Sequence, residues 1–395
     1  DQINGSNSGF KAELVDVGTN KRLKIASNQG KDLTISGDAI TTGTIDTQAY
    51  TPTIAGKITG GGALAKSGTG TLTLSGANDY TGGTTVNAGT LTAGSATALG
   101  NGGPLALAAA GATLNVNGNS LTIGALSGVA GSLITNAGTG TATATLTSDF
   151  DTTSSTYAGV IQNGTTRLVA LAKDGTGTLE LTGSNTYTGG TTVNGGTLLV
   201  GNANALGTTG AIQVNNDATL AVGNGITLAR HSAITFNAGS TLGGHGTYST
   251  SGASWTAPAG LTIAPGMSIG TLTLDLGGSP NTFDLNGASL EIEVADDGSC
   301  DLLIVNGNLD LTGTDNALIL TGTVLKGYTY TIASTTGGLV DGTFDAINAS
   351  GLNGTPTIIY NADSIQFFVP EPATAAVLAL AVSAALLRRR RPARG

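Results

Sequence analysis

A single cysteine, Cys300, in 395 residues leaves no intramolecular disulfide framework. This scarcity does not argue for the cytosol, since cysteine-free export is common. Charge is scarce too, at 10% against a usual ~25%. Helix-favouring Glu, Lys, Gln and Arg are few, and Thr, Asn, Ser and Gly dominate the polar set. Aromatic residues reach only 4%, which suits a thin core of small side chains better than a compact sandwich. The two histidines, His231 and His245, have no other histidine or cysteine at metal-ligand spacing, so no zinc site is expected. No Lys-Ser/Thr pair follows a glycine string such as Gly68-Thr69-Gly70, which excludes a P-loop. EF-hand spacing and GGxGxDxUx calcium repeats are missing. No cofactor is expected.

Net charge is −9, yet five of the 16 basic residues (Arg388, Arg389, Arg390, Arg391 and Arg394) fall in the last eight positions. Without them the chain stands at −14 and should repel phosphate polymers, so no nucleic-acid partner is expected. The chain opens at Asp1 without a charged-then-apolar leader. It reads as a fragment or as a mature form whose leader has been removed.

What is abundant is glycine, 63 residues against a usual ~7% of a chain. Hydrophobic residues, at 39%, are too many for a disordered chain. One segment occurs twice. Residues 64–100 (LAKSGTGTLTLSGANDYTGGTTVNAGTLTAGSATALG) and 171–207 (LAKDGTGTLELTGSNTYTGGTTVNGGTLLVGNANALG) agree at 27 of 37 positions without a gap. Beyond them, Ala112-Thr113-Leu114 matches Ala218-Thr219-Leu220 after a one-residue slip.

Each copy alternates with a period of two. In Thr71-Leu72-Thr73-Leu74 the leucines point one way and the hydroxyls the other. Thr178-Leu179-Glu180-Leu181 repeats the pattern with a glutamate on the polar side. Val86 and Leu91, then Val193 and Leu198, extend the buried set. Gly82-Gly83 and Asn87-Ala88-Gly89 supply corners that need positive φ. Strands of about five residues cannot bury a face alone. Stacking coil on coil solves this, and the fold class expected is all-β, a right-handed parallel β-helix (β-solenoid).

Four regions follow along the chain. Residues 1–60 are β-rich and more charged, with Lys21–Ile25 and Leu33–Ile35 as strands; they serve as first coils or as a cap. Residues 61–288 form the β-helix that carries both copies, with a loop at Asp149 to Ser155. Residues 289–368 hold further strands around Leu290–Val294, Leu302–Val305 and Tyr328–Ile332. Residues 369–395 break sharply: Val369-Pro370-Glu371-Pro372, then the uncharged run Ala373–Leu387, then four arginines. As a helix the run reaches ~22 Å, short of a ~30 Å hydrocarbon core, and snorkelling arginines would make up the rest. A short C-terminal transmembrane helix is therefore expected, with a buried or amphipathic helix as the other reading. Arg388–Arg391 would stay cytoplasmic and residues 1–370 would lie across the membrane.

Two resemblances meet these residues. The pattern GxGTLxLxGxNxYTGGTTVNxGTL at 68–91 and 175–198 resembles the autotransporter-associated β-strand repeat, also called the passenger-associated transport repeat. IAPGMSIGTLTL at 263–274 and GSCDLLIVNGNLDLTG at 298–313 look like segments that follow such repeats. The tail is similar to a PEP-CTERM sorting signal: Val369, Pro370, Glu371 and Pro372 as the sorting and processing motif, 373–387 as the membrane span, and Arg388, Arg389, Arg390 and Arg391 as the retention cluster. That resemblance implies an exosortase-type processing partner and an inner-membrane-anchored precursor, later at the cell surface or in the extracellular matrix. The ~10-residue alternating strands of a translocator barrel are not seen, which departs from autotransporters.

Candidate chemistry is sparse. Asp296, Asp297 and Asp301 around Gly298 and Cys300 could serve glycoside hydrolysis or calcium binding, or form an acidic turn. Cys300 has no histidine in its segment and reads as a free thiol. Tyr248 and Trp255 could stack on sugars. Asn163-Gly164-Thr165 is a glycosylation sequon. Rows of Thr, Asn and Ser could hydrogen-bond extracellular polysaccharide, a candidate partner. The function expected is a non-enzymatic exported surface or matrix adhesion protein; the alternative is a β-helical polysaccharide lyase or glycosidase. Two carboxylates ~5–10 Å apart in a groove would favour that alternative.

Overall fold

The computed structural model describes residues 10–17, 20–27 and 42–371, apart from 152 and 230–232. The chain divides into two compact units, Asp1–Thr241 and Leu242–Gly395. Both are built from stacked parallel strands, and the fold is a right-handed parallel β-solenoid.

Unit 1 opens with an antiparallel hairpin, Phe10–Val17 on Asn20–Ser27. Its coils then stack on three faces. The first face runs Thr42–Asp46, Ala63–Ser67, Thr84–Val86, Leu105–Leu107, Leu126–Gly128, Ser154–Tyr157, Thr178–Leu181, Gly196–Val200 and Ala218–Val222. The second face runs Thr53–Ile54, Thr71–Leu74, Thr90–Ala93, Thr113–Asn115, Leu133–Thr135 and Val160–Ile161. The third face runs Leu121–Ile123, Ala144–Asp149, Val169–Asp174, Thr191–Val193, Ile212–Val214 and Ile234–Phe236. Early coils place strands on faces one and two, the middle coils on all three, and the late coils on faces one and three.

Strands this short form because their alternation matches the pleat. Leu72 and Leu74 point inward, and Thr71 and Thr73 outward. Parallel register then stacks like on like: Leu72, Leu91, Leu114, Ile134 and Ile161 form one fully buried column. Each such side chain contributes roughly 1.5–3 kcal/mol by leaving water. Val86, Val193 and Leu198 are buried as expected. Coils approach so closely that Gly70 and Gly183 have no room for a side chain. A Cβ there would collide with the carbonyl oxygens of Tyr50 and Gly159.

Unit 2 has three-sided coils throughout. One face stacks Thr247–Ser249, Thr271–Asp275, Leu302–Asn306 and Thr329–Thr335; a second stacks Trp255–Thr256, Thr282–Asp284, Asn308–Leu311 and Val340–Gly342. The third carries Thr262–Pro265, Ser289–Val294, Ala317–Gly322 and Ala346–Asn348. The chain closes antiparallel, with Ser364–Phe368 between Thr329–Thr335 and Thr357–Tyr360. On the third face the core column Ile263, Leu290, Leu318 is fully covered, but Ile347, the last member among the described residues, is 46% exposed, with no further described coil stacked on it.

The expected transmembrane helix needs correction. Among the described residues no helix is long and apolar enough to cross a membrane, and the named elements are strands. Ala373–Leu387 itself lies outside the described residues, as do Pro372, Arg388–Arg391, Leu33–Ile35 and His231. The physical shortfall was already in the length, since 15 helical residues reach ~22 Å of a ~30 Å core.

Candidate functional site

Of the polar residues common to both repeat copies, Lys66/Lys173, Asn78/Asn185, Tyr80/Tyr187 and Thr84/Thr191 are buried. Lys66 lies on Ala63–Ser67 with no solvent exposure. Its Nζ donates to Thr47 Oγ1 (3.0 Å) and to the carbonyls of Ser67 (3.2 Å), Gly68 (2.8 Å) and Ala88 (2.9 Å). Lys173 donates to the carbonyls of Asp174 (2.5 Å), Gly175 (2.9 Å) and Gly195 (3.3 Å), and its Nζ stands 4.7 Å from the centre of the Phe150 ring. Burial lowers the Lys66 amine to about 8, partly offset by the charge of Asp46. It lowers Lys173 as well, against Asp174, Asp149 and Asp151.

Asn78 and Asn185 each join three coils. Asn78 Oδ1 accepts the Ile58 N–H (2.8 Å) and its Nδ2 donates to the Ala98 carbonyl (2.8 Å). Asn185 does the same with Ile161 (2.8 Å) and Ala205 (2.6 Å). The hydroxyls of Tyr80 and Thr84, and of Tyr187 and Thr191, meet at 2.6 Å. Burial pushes the Tyr80 phenol up to about 12. A ladder of side-chain amides, Asp174–Asn194–Asn215–Asn237, closes the corner after the third face with bonds of 2.6–2.7 Å. The two lysines and the two asparagines answer orphan backbone atoms of the corners, which must be paired wherever water is excluded.

Among the described residues, a recess of about 210 Å³ in unit 2 is lined by Glu291, Glu293, Asp301, Met267, Ser268 and Thr321 among others. Glu291 and Glu293 alternate on one strand, which separates them by ~6.7 Å. Asp301 is 4% exposed, and burial pushes it up to about 6. The N–H groups of Glu293 and Gly270 oppose that shift, each donating to one carboxylate oxygen at 2.8 Å. Both oxygens of Asp301 are thus engaged in holding backbone. No lysine, arginine or histidine lines the recess.

The aspartates that sequence spacing grouped are separated by the fold. Asp297 accepts the Ser299 hydroxyl (2.6 Å) and N–H (2.9 Å), a turn bond that holds it below the usual carboxylate range. Cys300 is half-buried against the Thr331 carbonyl (3.3 Å), and burial, then the Asp301 charge, raises its thiol to about 11. Tyr248 and Trp255 are buried, with ring centres 5.1 Å apart and Phe283 another 5.1 Å beyond; they are core residues, not a sugar platform. The ring of His245 packs on Gly270. Asn163 has its amide engaged by Thr188 and Val169, leaving no glycan acceptor there. Val369 is buried and its carbonyl accepts the Gly327 N–H at 2.9 Å; Pro370 and Glu371 are exposed. Sequence reasoning missed Lys66, Lys173, Glu291 and Glu293. The signal was present: alternation through Leu64-Ala65-Lys66 puts Lys66 on the side of Leu64.

Comparison with known proteins agrees with the solenoid. Residues 64–93 and 171–200 match the family described as passenger-associated-transport-repeat. The chain is also similar to the adhesin BmaC autotransporter of Brucella suis biovar 1 (strain 1330), with 37% identity over 188 residues. That stretch is 45% of this chain and only 5% of the adhesin, so the chain spans a small part of that relative's length. The family match falls on the repeat body, and no membrane-crossing helix exists among the described residues. Membrane contact through 373–387, the exosortase-type partner and the inner-membrane-anchored precursor are accordingly withdrawn. The chain is thus a parallel β-solenoid in which two stretches match the passenger-associated-transport-repeat.

Proposed function

We propose that the chain is a non-enzymatic, exported β-solenoid that acts in adhesion at the cell surface or in the extracellular matrix. The observation that carries this reading is the inward placement of the largest polar groups the repeats share, Lys66/Lys173, Asn78/Asn185 and Tyr80/Tyr187, while the shared Thr69/Thr176 and Asn87/Asn194 stay exposed. The motif is thereby a device for building rungs. The exterior is left to Thr, Asn and Ser, a low-charge surface for weak multivalent contact. Similarity to part of an adhesin supports the same reading. The test is antibody labelling of intact producing cells, with attachment compared between cells that have and lack the protein. Labelling that needs lysis, or attachment that is unchanged, overturns it.

The acidic recess favours a second reading, cleavage of a glycoside by Glu291 and Glu293. Incubating the full chain with polysaccharides and assaying new reducing ends tests it. Activity lost in both Glu291→Gln and Glu293→Gln would support the enzyme and replace the first reading.

A further inference from the structure

We propose that Arg167 is an anion-binding position on unit 1, taking the carboxylate or sulfate group of an acidic polysaccharide. The proposal deepens the adhesion reading by naming a ligand class. Arg167 lies in the loop between Val160–Ile161 and Val169–Asp174 and is partly exposed. Its guanidinium rests on three glycines. A Cβ on Gly118 would come within 2.7 Å of Nη1, one on Gly138 within 2.9 Å of Nη1, and one on Gly140 within 3.4 Å of both Nε and Nη2. Any side chain at these positions would crowd the group.

A guanidinium offers five N–H donors and carries a permanent charge. Here one weak bond is made, from Nη1 to Asn117 Oδ1 at 3.4 Å. Nε is enclosed and has no acceptor among the described residues. No carboxylate pairs with Arg167 among them either; the ion pair found there joins Lys57 and Asp79. An enclosed N–H without an acceptor costs ~1–3 kcal/mol, and that cost disappears when an acceptor arrives. The Nε–Nη2 edge borders Gly140, so a planar anion entering beside that glycine would meet two donors side by side. Residues 137–143, which border that edge, are exposed throughout.

The surroundings narrow the ligand. Thr139, Thr141, Thr143, Thr165 and Thr166 are exposed on the same two loops, and the Thr166 hydroxyl ties them by donating to the Gly140 carbonyl at 2.6 Å. Neutral hydroxyls around one cation suit a sugar that bears one acid.

The test uses the full chain with polygalacturonate, a sulfated galactan and a neutral glucan as immobilised probes. Binding to at least one acidic polymer is expected, and which one separates carboxylate from sulfate. Arg167→Gln should weaken it at least tenfold, and Arg167→Lys, which keeps the charge but not the fork, should fall between. Should Arg167→Gln misfold, protection of Arg167 from phenylglyoxal by the acidic polymer, read by peptide mass on the unaltered protein, gives the same answer. Equal binding to the neutral glucan, unchanged affinity in Arg167→Gln, or no protection overturns the proposal. Cell attachment that survives Arg167→Gln while polymer binding is lost leaves the adhesion reading standing and detaches it from this site.

Discussion

Lys66 and Lys173 occupy equivalent repeat positions, 107 residues apart, yet their carbonyl cages stand on different faces of unit 1. Lys66 belongs to the first face and Lys173 to the third. The whole second copy has moved round by one face: Thr71–Leu74 stacks on the second face, and its counterpart Thr178–Leu181 on the first. Each copy nevertheless rebuilds the same cage, because the carbonyls that hold the ammonium come from its own corner and from the next coil.

Lys66 should give stability an alkaline rise. Its amine is lowered from 10.5 to about 8 in the folded chain, so between these values the unfolded state binds more protons. The burial penalty is therefore full below pH 8 and fades as pH climbs. Melting temperature should increase from pH 7 to 9, before the unfolded Cys300 thiol and the unfolded tyrosines, whose folded forms hold their protons more tightly, ionise enough to offset it. In Lys66→Met that increase should shrink. Thermal melts by circular dichroism in a pH series check both.

Removing the Asn185 amide should orphan two enclosed backbone groups, the Ile161 N–H and the Ala205 carbonyl. Asn185→Ala is expected to cost about 2–4 kcal/mol, at ~1–3 per group left unpaired. Urea unfolding should show the midpoint falling well below that of Asn204→Ala, an exposed position on the turn of the next coil.

Close approach of coils should make glycines unequal. Gly183→Ala would drive a Cβ into the Gly159 carbonyl, whereas a Cβ at Gly61 meets nothing within 4 Å. Gly183→Ala should destabilise by more than ~3 kcal/mol or block folding, and Gly61→Ala should stay within ~0.5 kcal/mol. Yield of folded protein and denaturant midpoints distinguish the pair.

Cys300 should be a poor nucleophile in the folded chain. With its thiol raised to about 11, little thiolate exists at pH 8. Iodoacetamide labelling followed by mass spectrometry should be slow for native protein and rise at least tenfold in urea. Fast native labelling would contradict the half-buried position.

Much of the fold was legible along the chain. The alternation in Thr71-Leu72-Thr73-Leu74 named the inward leucines because a strand's period of two is a local property. The Asp296, Asp297 and Asp301 grouping failed because nearness in sequence does not place side chains on one surface: Asp297 turns back on Ser299, while Asp301 reaches the amides of Gly270 and Glu293. Tyr248 and Trp255 were misread for a related reason. Ring type was visible, but the direction of each strand's first inward residue was not.

The residues alone determined that this chain stacks short strands, since glycine corners, two-residue alternation and a duplicated coil permit little else. Only the tertiary structure decided which face each copy takes, because that depends on how many residues the intervening coils place between corners. It alone decided that two lysines sit in carbonyl cages, because parallel register brings the Ala88 carbonyl to Lys66 from 22 residues away. Pairing of that range is set by the sum of all coils, and no local window contains it.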